Sequence, residues 1–180
     1  MRFKSRYQLS AAGVHRPLLN FVHAGRDESA FSIILQGNNK MDCGDEFFYV
    51  CDDMYKKARA RYEAEGNKGM ITVALTGNNL ALARSCYAEL NPRGAQSAQD
   101  WQAGLPVRVV RCPHKKQEST VSPNDGYRYD GIYKVVSYTV DVSEGFPVYS
   151  FFLRRDDPEP APWHENGIEY NVIVSILNSQ

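Results

Sequence analysis

The chain has no surplus of charge of either sign: among 180 residues, Lys plus Arg and Asp plus Glu both number 21. Total charge therefore neither favours nor excludes a polyanionic partner, and only local clustering of cations could provide a docking face. There is no Cys-x-x-Cys pair either. Cys43, Cys51, Cys86 and Cys112 stand far apart, which argues against a structural zinc site or a disulfide framework and for reduced thiols in an intracellular protein. No apolar run approaches membrane-spanning length, and the basic start Met1-Arg2-Phe3-Lys4-Ser5-Arg6 has no signal-type apolar core behind it. A soluble protein is expected.

Several catalytic machines are missing as well. No Gly-x-x-x-x-Gly-Lys phosphate loop occurs, and the His-x-Glu and Pro-Cys-x-x-Cys elements that zinc base deaminases need are absent. His164-Glu165 lacks the second histidine of a zincin, since Ile168 holds that place. In Cys112-Pro113-His114 a proline joins thiol and imidazole, so the pair reads as a strand end rather than a nucleophile with its base. Asp52-Asp53 and Asp156-Asp157 read as caps and turn residues. No metal, no cofactor and no enzymatic activity are expected.

What is present is mostly β-type pattern. Apolar runs bounded by Gly, Pro, Asn or Asp recur at Ala30–Leu35, Phe47–Cys51, Val107–Arg111, Ile132–Val142, Val148–Leu153 and Tyr170–Leu177. Two stretches predict helices, Asp53–Glu65 and Asn79–Leu90, the second capped by Thr76-Gly77-Asn78-Asn79. The length fits one domain, 1–180, with a core from about 2 to 163 and a C-terminal extension over 164–180 beyond the stiff Pro158, Pro160 and Pro162. The tyrosine-rich stretch 124–138 has two Asp-Gly steps, Asp125-Gly126 and Asp130-Gly131, where glycine allows positive φ, so a turn running into a core strand is expected. The fold class is α+β, a twisted or barrel-like sheet with helices on one side.

Cations cluster twice. Lys56, Lys57, Arg59 and Arg61 align on one side of the first helix, and a second group comprises Arg108, Arg111, His114, Lys115, Lys116 and Arg128. An ordinary solvated face explains the helix equally well, because Glu63 and Glu65 lie beside it.

Six blocks, taken together, go further. Gly13-Val14-His15-Arg16-Pro17, Gly44-Asp45-Glu46-Phe47, Leu75-Thr76 with Asn79 and Ala81-Leu82-Ala83, Trp101 to Arg111, Tyr129-Asp130-Gly131-Ile132-Tyr133-Lys134-Val135 and Leu153 to Trp163 resemble, in order and approximate spacing, the SET- and RING-associated (SRA or YDG) domain. The resemblance implies a strongly bent, crescent-shaped β-barrel of the PUA-like kind with two or more flanking helices. It also implies a reader of double-stranded DNA that flips 5-methylcytosine into a pocket, acting in the nucleus alongside chromatin proteins.

Carried over residue by residue, the resemblance puts the modified-base pocket at Asn38, Asn39, Asp42, Tyr49 and Val50. Tyr49 corresponds to a stacking aromatic, and Asp42 to the carboxylate that accepts from the cytosine N4 amino group. The ordinary alternatives are a core tyrosine and a turn aspartate. The family's second stacking aromatic falls on Gly37-Asn38-Asn39, which raises hydroxymethylcytosine as an alternative ligand, its hydroxyl bonded by an asparagine. DNA-groove probes are Leu19, suited to wedge into the minor groove, and the finger Asn67 and Lys68. Gly69 stands where the family's finger has a guanine-reading arginine, so weak preference for hemimethylated CpG is expected. Arg16 and Lys134 are the expected phosphate contacts. The other classes are the specificity domain of a modification-dependent nuclease and a degenerate scaffold for protein interaction.

Overall fold

Alternating valines make Val107–Cys112 a strand with little exposure on either face, which suits the middle of a sheet. In the computed structural model it lies parallel to Ala30–Gln36 and antiparallel to Tyr127–Ser143. The structure describes residues 1–163 apart from 38, 40, 52–55, 57, 58, 61, 62, 65–72, 98, 99, 117, 144 and 145. In chain order the strands are β1 (Arg2–Phe3), β2 (Val22–Ala24), β3 (Ala30–Gln36), β4 (Glu46–Val50), β5 (Gly94–Gln96), β6 (Val107–Cys112), β7 (Tyr127–Ser143) and β8 (Phe146–Arg155). Helices α1 (Arg6–Ala11) and α2 (Gly77–Ser85) and a 3₁₀ turn, Trp101–Ala103, complete the described elements.

The sheet runs β2-β3-β6-β7-β8-β4, with β1 and β5 attached to opposite parts of β7. The α+β reading of a twisted, barrel-like sheet holds: the sheet is mixed and eight-stranded, and among the described residues no pairing joins β2 to β4 to close it. Strand β7 is its spine. Its 17 residues pair first with β6 and then with β8, and register breaks opposite Val109/Val110 and at Val135/Ser137 bend it, as bulges do.

One of those bends explains a misread turn. Gly131, at φ +107°, sits inside β7 rather than ending a loop before it, and a Cβ there would come within 2.6 Å of the Asp157 carboxylate. Strand β7 therefore begins at Tyr127, five residues before the expected Ile132. Helix α2 errs the other way, ending at Ser85 rather than Leu90. The Ser85 hydroxyl donates to Ala81 O and accepts from Ala30 N, and its carbonyl accepts from Leu105 N, so tertiary partners capture the chain before another turn forms.

Both faces of β3 and β6 are buried. Ile33, Leu35, Val107 and Val109 join the main core with Leu82 and Ala83 of α2, while Ile34, Val110 and Cys112 pack with Leu9 of α1 on the other side. Ser5 caps α1 by accepting from Gln8 N at 3.3 Å. The expected strand Tyr170–Leu177 and the extension 164–180 lie outside the described residues. Of the expected helix over 53–65, the described residues Lys56, Arg59, Ala60, Glu63 and Ala64 are helical.

Candidate nucleic-acid interface

Val107, Val109 and Arg111 point the same way along β6, which carries a guanidinium onto the core face. Such a charge is tolerated only if carboxylates meet it and its donors are filled. They are. Arg111 Nε and Nη2 bind the two Asp42 oxygens at 2.9 and 2.7 Å, Nη1 binds Asp130 Oδ2 at 2.7 Å, and Nη2 also reaches Gly44 O at 2.7 Å. The side chains of Arg111, Asp42 and Asp130 are all 0% exposed. Arg128 binds Asp130 from the other side, and the rings of Phe47, Tyr133 and Trp163 lie against the Arg111 guanidinium. Burial alone would lower the Arg111 pKa. Tyr133, Asp42 and Asp130 raise it, and the net shift is upward, so the group stays charged.

This cluster overturns two sequence readings. Asp42 was expected to accept from a base; its Oδ1 instead takes Gly44 N and Arg111, and its Oδ2 takes Arg111 and the Ser119 hydroxyl. With its acceptor sites filled and its side chain sealed, Asp42 anchors the loop rather than reading N4. Arg111 and Arg128, assigned to a basic group, are interior residues; for Arg111, a cation in phase with the buried Val107 and Val109 was the signal that could have identified it.

The loop between β3 and β4 passes beside this cluster. Gly37 O accepts from Glu118 N and Ser119 N, and Gly37 N donates to Cys112 O, so the segment after β6 fastens the start of the loop. Asn39 is brought against β4: its Nδ2 donates to Phe48 O at 2.5 Å and its Oδ1 accepts from Met41 N at 3.0 Å, an Asx turn. Both ends of its amide therefore hold the loop in shape. Tyr49, 4% exposed, lies in the main core with Phe47, and Val50 points to the opposite face with Phe48. Their side chains therefore leave β4 on opposite faces, so Val50 could border a pocket at Tyr49 only through its backbone. Asn38 lies outside the described residues.

A second loop, 14–20, is caught by its carbonyls. Arg108 Nε donates to Val14 O, the Ser10 hydroxyl to Arg16 O, and Arg6 Nη1 to Asn20 O. His15 is fully buried at the root of this loop. Its Nε2 faces Asn20 O, an acceptor only, so Nε2 carries the hydrogen and Nδ1 accepts from the Ser32 hydroxyl. Burial pushes its pKa down to about 4, the Asn20 carbonyl opposing and the cations Arg6, His23 and Arg108 adding to the fall. This braced loop presents Arg16, Leu18, Leu19 and Asn20 to solvent, Leu19 being 86% exposed.

Lys134 is corrected: 12% exposed, it donates to Gly104 O at 2.6 Å and lies 3.9 Å from Asp156, joining β7 to the turn after Trp101–Ala103. Of the second basic group, Lys115 and Lys116 are exposed and His114 is half-buried. On the first helix Arg59 pairs with Glu63 at 2.9 Å, the ordinary reading of that face. The finger Asn67 and Lys68, like Lys57 and Arg61, lies outside the described residues. The Cys112 thiol is buried and pushed up to about 11, the opposite of nucleophile activation. Among the described residues no three His, Cys, Asp or Glu side chains gather where they could hold a metal, and no helix is long and apolar enough to cross a membrane.

Known proteins resemble this chain in sequence and fold. The chain is similar to the E3 ubiquitin-protein ligase UHRF2 of Homo sapiens, 41% identical over 175 residues that cover 93% of this chain and 21% of that protein. It is likewise 41% identical over 173 residues to UHRF1 of Xenopus tropicalis, covering 93% and 22%. It thus spans about a fifth of the length of these relatives. Among solved structures it is similar to the SUVH5 SRA domain in complex with methylated CHH DNA, with a TM-score of 0.59 and 26% identity over 91% of this chain and 92% of that one. The modification-dependent TagI restriction endonuclease matches at a TM-score of 0.59 and 28% identity, over 87% of this chain and 48% of that one. The model of the SAD/SRA domain matches residues 1–159, and with these identities it establishes that the chain belongs to the SAD/SRA domain family.

Proposed function

We propose that this domain binds duplex DNA carrying 5-methylcytosine and holds the modified base out of the helix, with hydroxymethylcytosine as the alternative ligand. The observation that carries the reading is the likeness, over 91% of the chain, to an SRA domain whose structure is a complex with methylated DNA. Extruding a base costs a few kcal/mol, which contacts made only by the flipped base have to offset. In this reading the base enters beside the loop 37–44 and stacks on Tyr49, a contact of roughly 1–3 kcal/mol, as the ring's surroundings open to admit it. Because the Asp42 carboxylate is filled, recognition of N4 falls to a backbone carbonyl of the loop. Leu19 wedges into the minor groove and Arg16 contacts phosphate, both on a loop whose shape is fixed before DNA arrives.

Gly69 beside Asn67 and Lys68 gives only weak preference for hemimethylated CpG, since the arginine that would read guanine is absent from the sequence. Action in the nucleus, alongside chromatin proteins, goes with this reading. The test is a titration of duplexes with unmodified, methyl and hydroxymethyl cytosine in CpG and other contexts, with 2-aminopurine reporting extrusion. Tighter binding and extrusion of a modified duplex are expected; equal binding of all duplexes refutes the reading. Hemimethylated CpG bound more than about tenfold tighter than other methylated contexts would contradict the finger assignment.

The likeness to TagI favours a second reading, the specificity domain of a modification-dependent nuclease. Metal-dependent cleavage of modified DNA by a longer chain containing this domain would decide for it. A domain that binds no modified duplex would instead be a scaffold.

A further inference from the structure

We infer that the buried Arg111 cluster is a positioning device that fixes the loop 37–44, and that selectivity for the modified base depends on it; the inference rests on the base-flipping reading above. The loop is held at both ends. At one end Gly37 is bonded through its N–H to Cys112 and through its carbonyl to Glu118 and Ser119. At the other, Asp42 takes donors from Arg111 of β6, from Ser119 and from Gly44, while Gly44 O accepts from both Arg111 and the Tyr133 hydroxyl of β7, each at 2.7 Å. Trp163 closes the cluster over Gly44: a Cβ on that glycine would stand 2.4 Å from the indole nitrogen.

Between these clamps Asn39 is pinned to Phe48 O. Gly37, Asn39, Asp42 and Gly44 are each fixed by bonds to other parts of the fold, which leaves these described residues of the loop few shapes. That is how a site discriminates ligands differing by one methyl or hydroxyl, because a looser site would adapt to either. Ser119 adds a link. The segment carrying the exposed Lys115 and Lys116 is tied to Gly37 at its start and to Asp42 at its end, so a phosphate contact there bears on the same loop.

Three variants test this. Ser119→Ala and Tyr133→Phe each remove one hydroxyl from the clamp and leave every charge paired; Arg111→Lys keeps the charge but loses the two-pronged grip. For the first two, the ratio of affinities for modified over unmodified duplex is expected to fall roughly three- to tenfold, the range of one net hydrogen bond. 2-Aminopurine extrusion should fall with it, while binding of unmodified duplex stays at the wild-type value. Arg111→Lys should abolish the ratio, and if it does not fold, the two hydroxyl variants decide. Variants that keep the wild-type ratio, or that lose affinity equally on every duplex, overturn the inference. A wild-type chain that binds all duplexes alike sinks the base-flipping reading and this inference together, whereas discrimination equal in wild type and variants sinks this inference alone.

Discussion

Gly44 has two independent reasons to lack a side chain. Its φ of +86° lies in the left-handed region, and the face where a Cβ would project is filled by the Trp163 ring. Backbone strain of about 1–3 kcal/mol and overpacking of similar size together predict that Gly44→Ala lowers stability by roughly 2–6 kcal/mol. Urea denaturation would measure it, and a change below about 0.5 kcal/mol would show that indole and loop can part freely. The sequence makes Gly44 visible as part of a family block but not why it is glycine, because Trp163 is far away along the chain. The same limit explains the misreadings of Asp42 and Lys134. Residue type announces what a carboxylate or ammonium can do; only the fold decides who reaches it first, and here Arg111 and Gly104 O do.

Strands were legible where alternation or valine runs were strong, as in β3, β6 and β8, and boundaries failed where a long-range partner overrode local preference, at Gly131 in β7 and Ser85 in α2. The loop 14–20 belongs with the second kind. Its sequence block located it, but its bracing by Arg6, Ser10, His15 and Arg108 depends on contacts across the fold. That bracing has a pH signature. Between pH 6.5 and about 4 an unfolded chain binds a proton at His15 that the native state refuses, so native stability is complete above 6.5 and declines as pH falls through this window. The loss is up to about 3 kcal/mol. His23, also shifted down by burial, adds to it with the same sign. Thermal or urea unfolding from pH 7.5 to 4 should reveal this slope, and His15→Gln should flatten most of it. An unchanged slope in that variant would mean that carboxylates carry the acid lability.

At the scale of the whole molecule, a chain of zero net charge has to divide its cations between two tasks. Arg111 and Arg128 are interior and hold the sheet to the loop, so they cannot release counterions from DNA; Arg16, Lys115 and Lys116 are at the surface and can. Affinity and selectivity should therefore separate experimentally. Removing one phosphate contact lowers the slope of log K against log salt by about one and weakens all sequences alike, whereas loosening the buried clamp leaves that slope untouched. Arg16→Ala is expected to lower affinity for methylated and unmodified duplexes by the same factor and to reduce the salt slope by about one, with the modified-base ratio preserved. Ser119→Ala is expected to do the reverse, lowering the ratio at an unchanged slope. Titrations of both variants over a range of salt concentrations decide it: if Arg16→Ala alters the ratio as much as the overall affinity, the loop 14–20 takes part in choosing the base, and the division between surface cations for affinity and buried cations for selectivity fails.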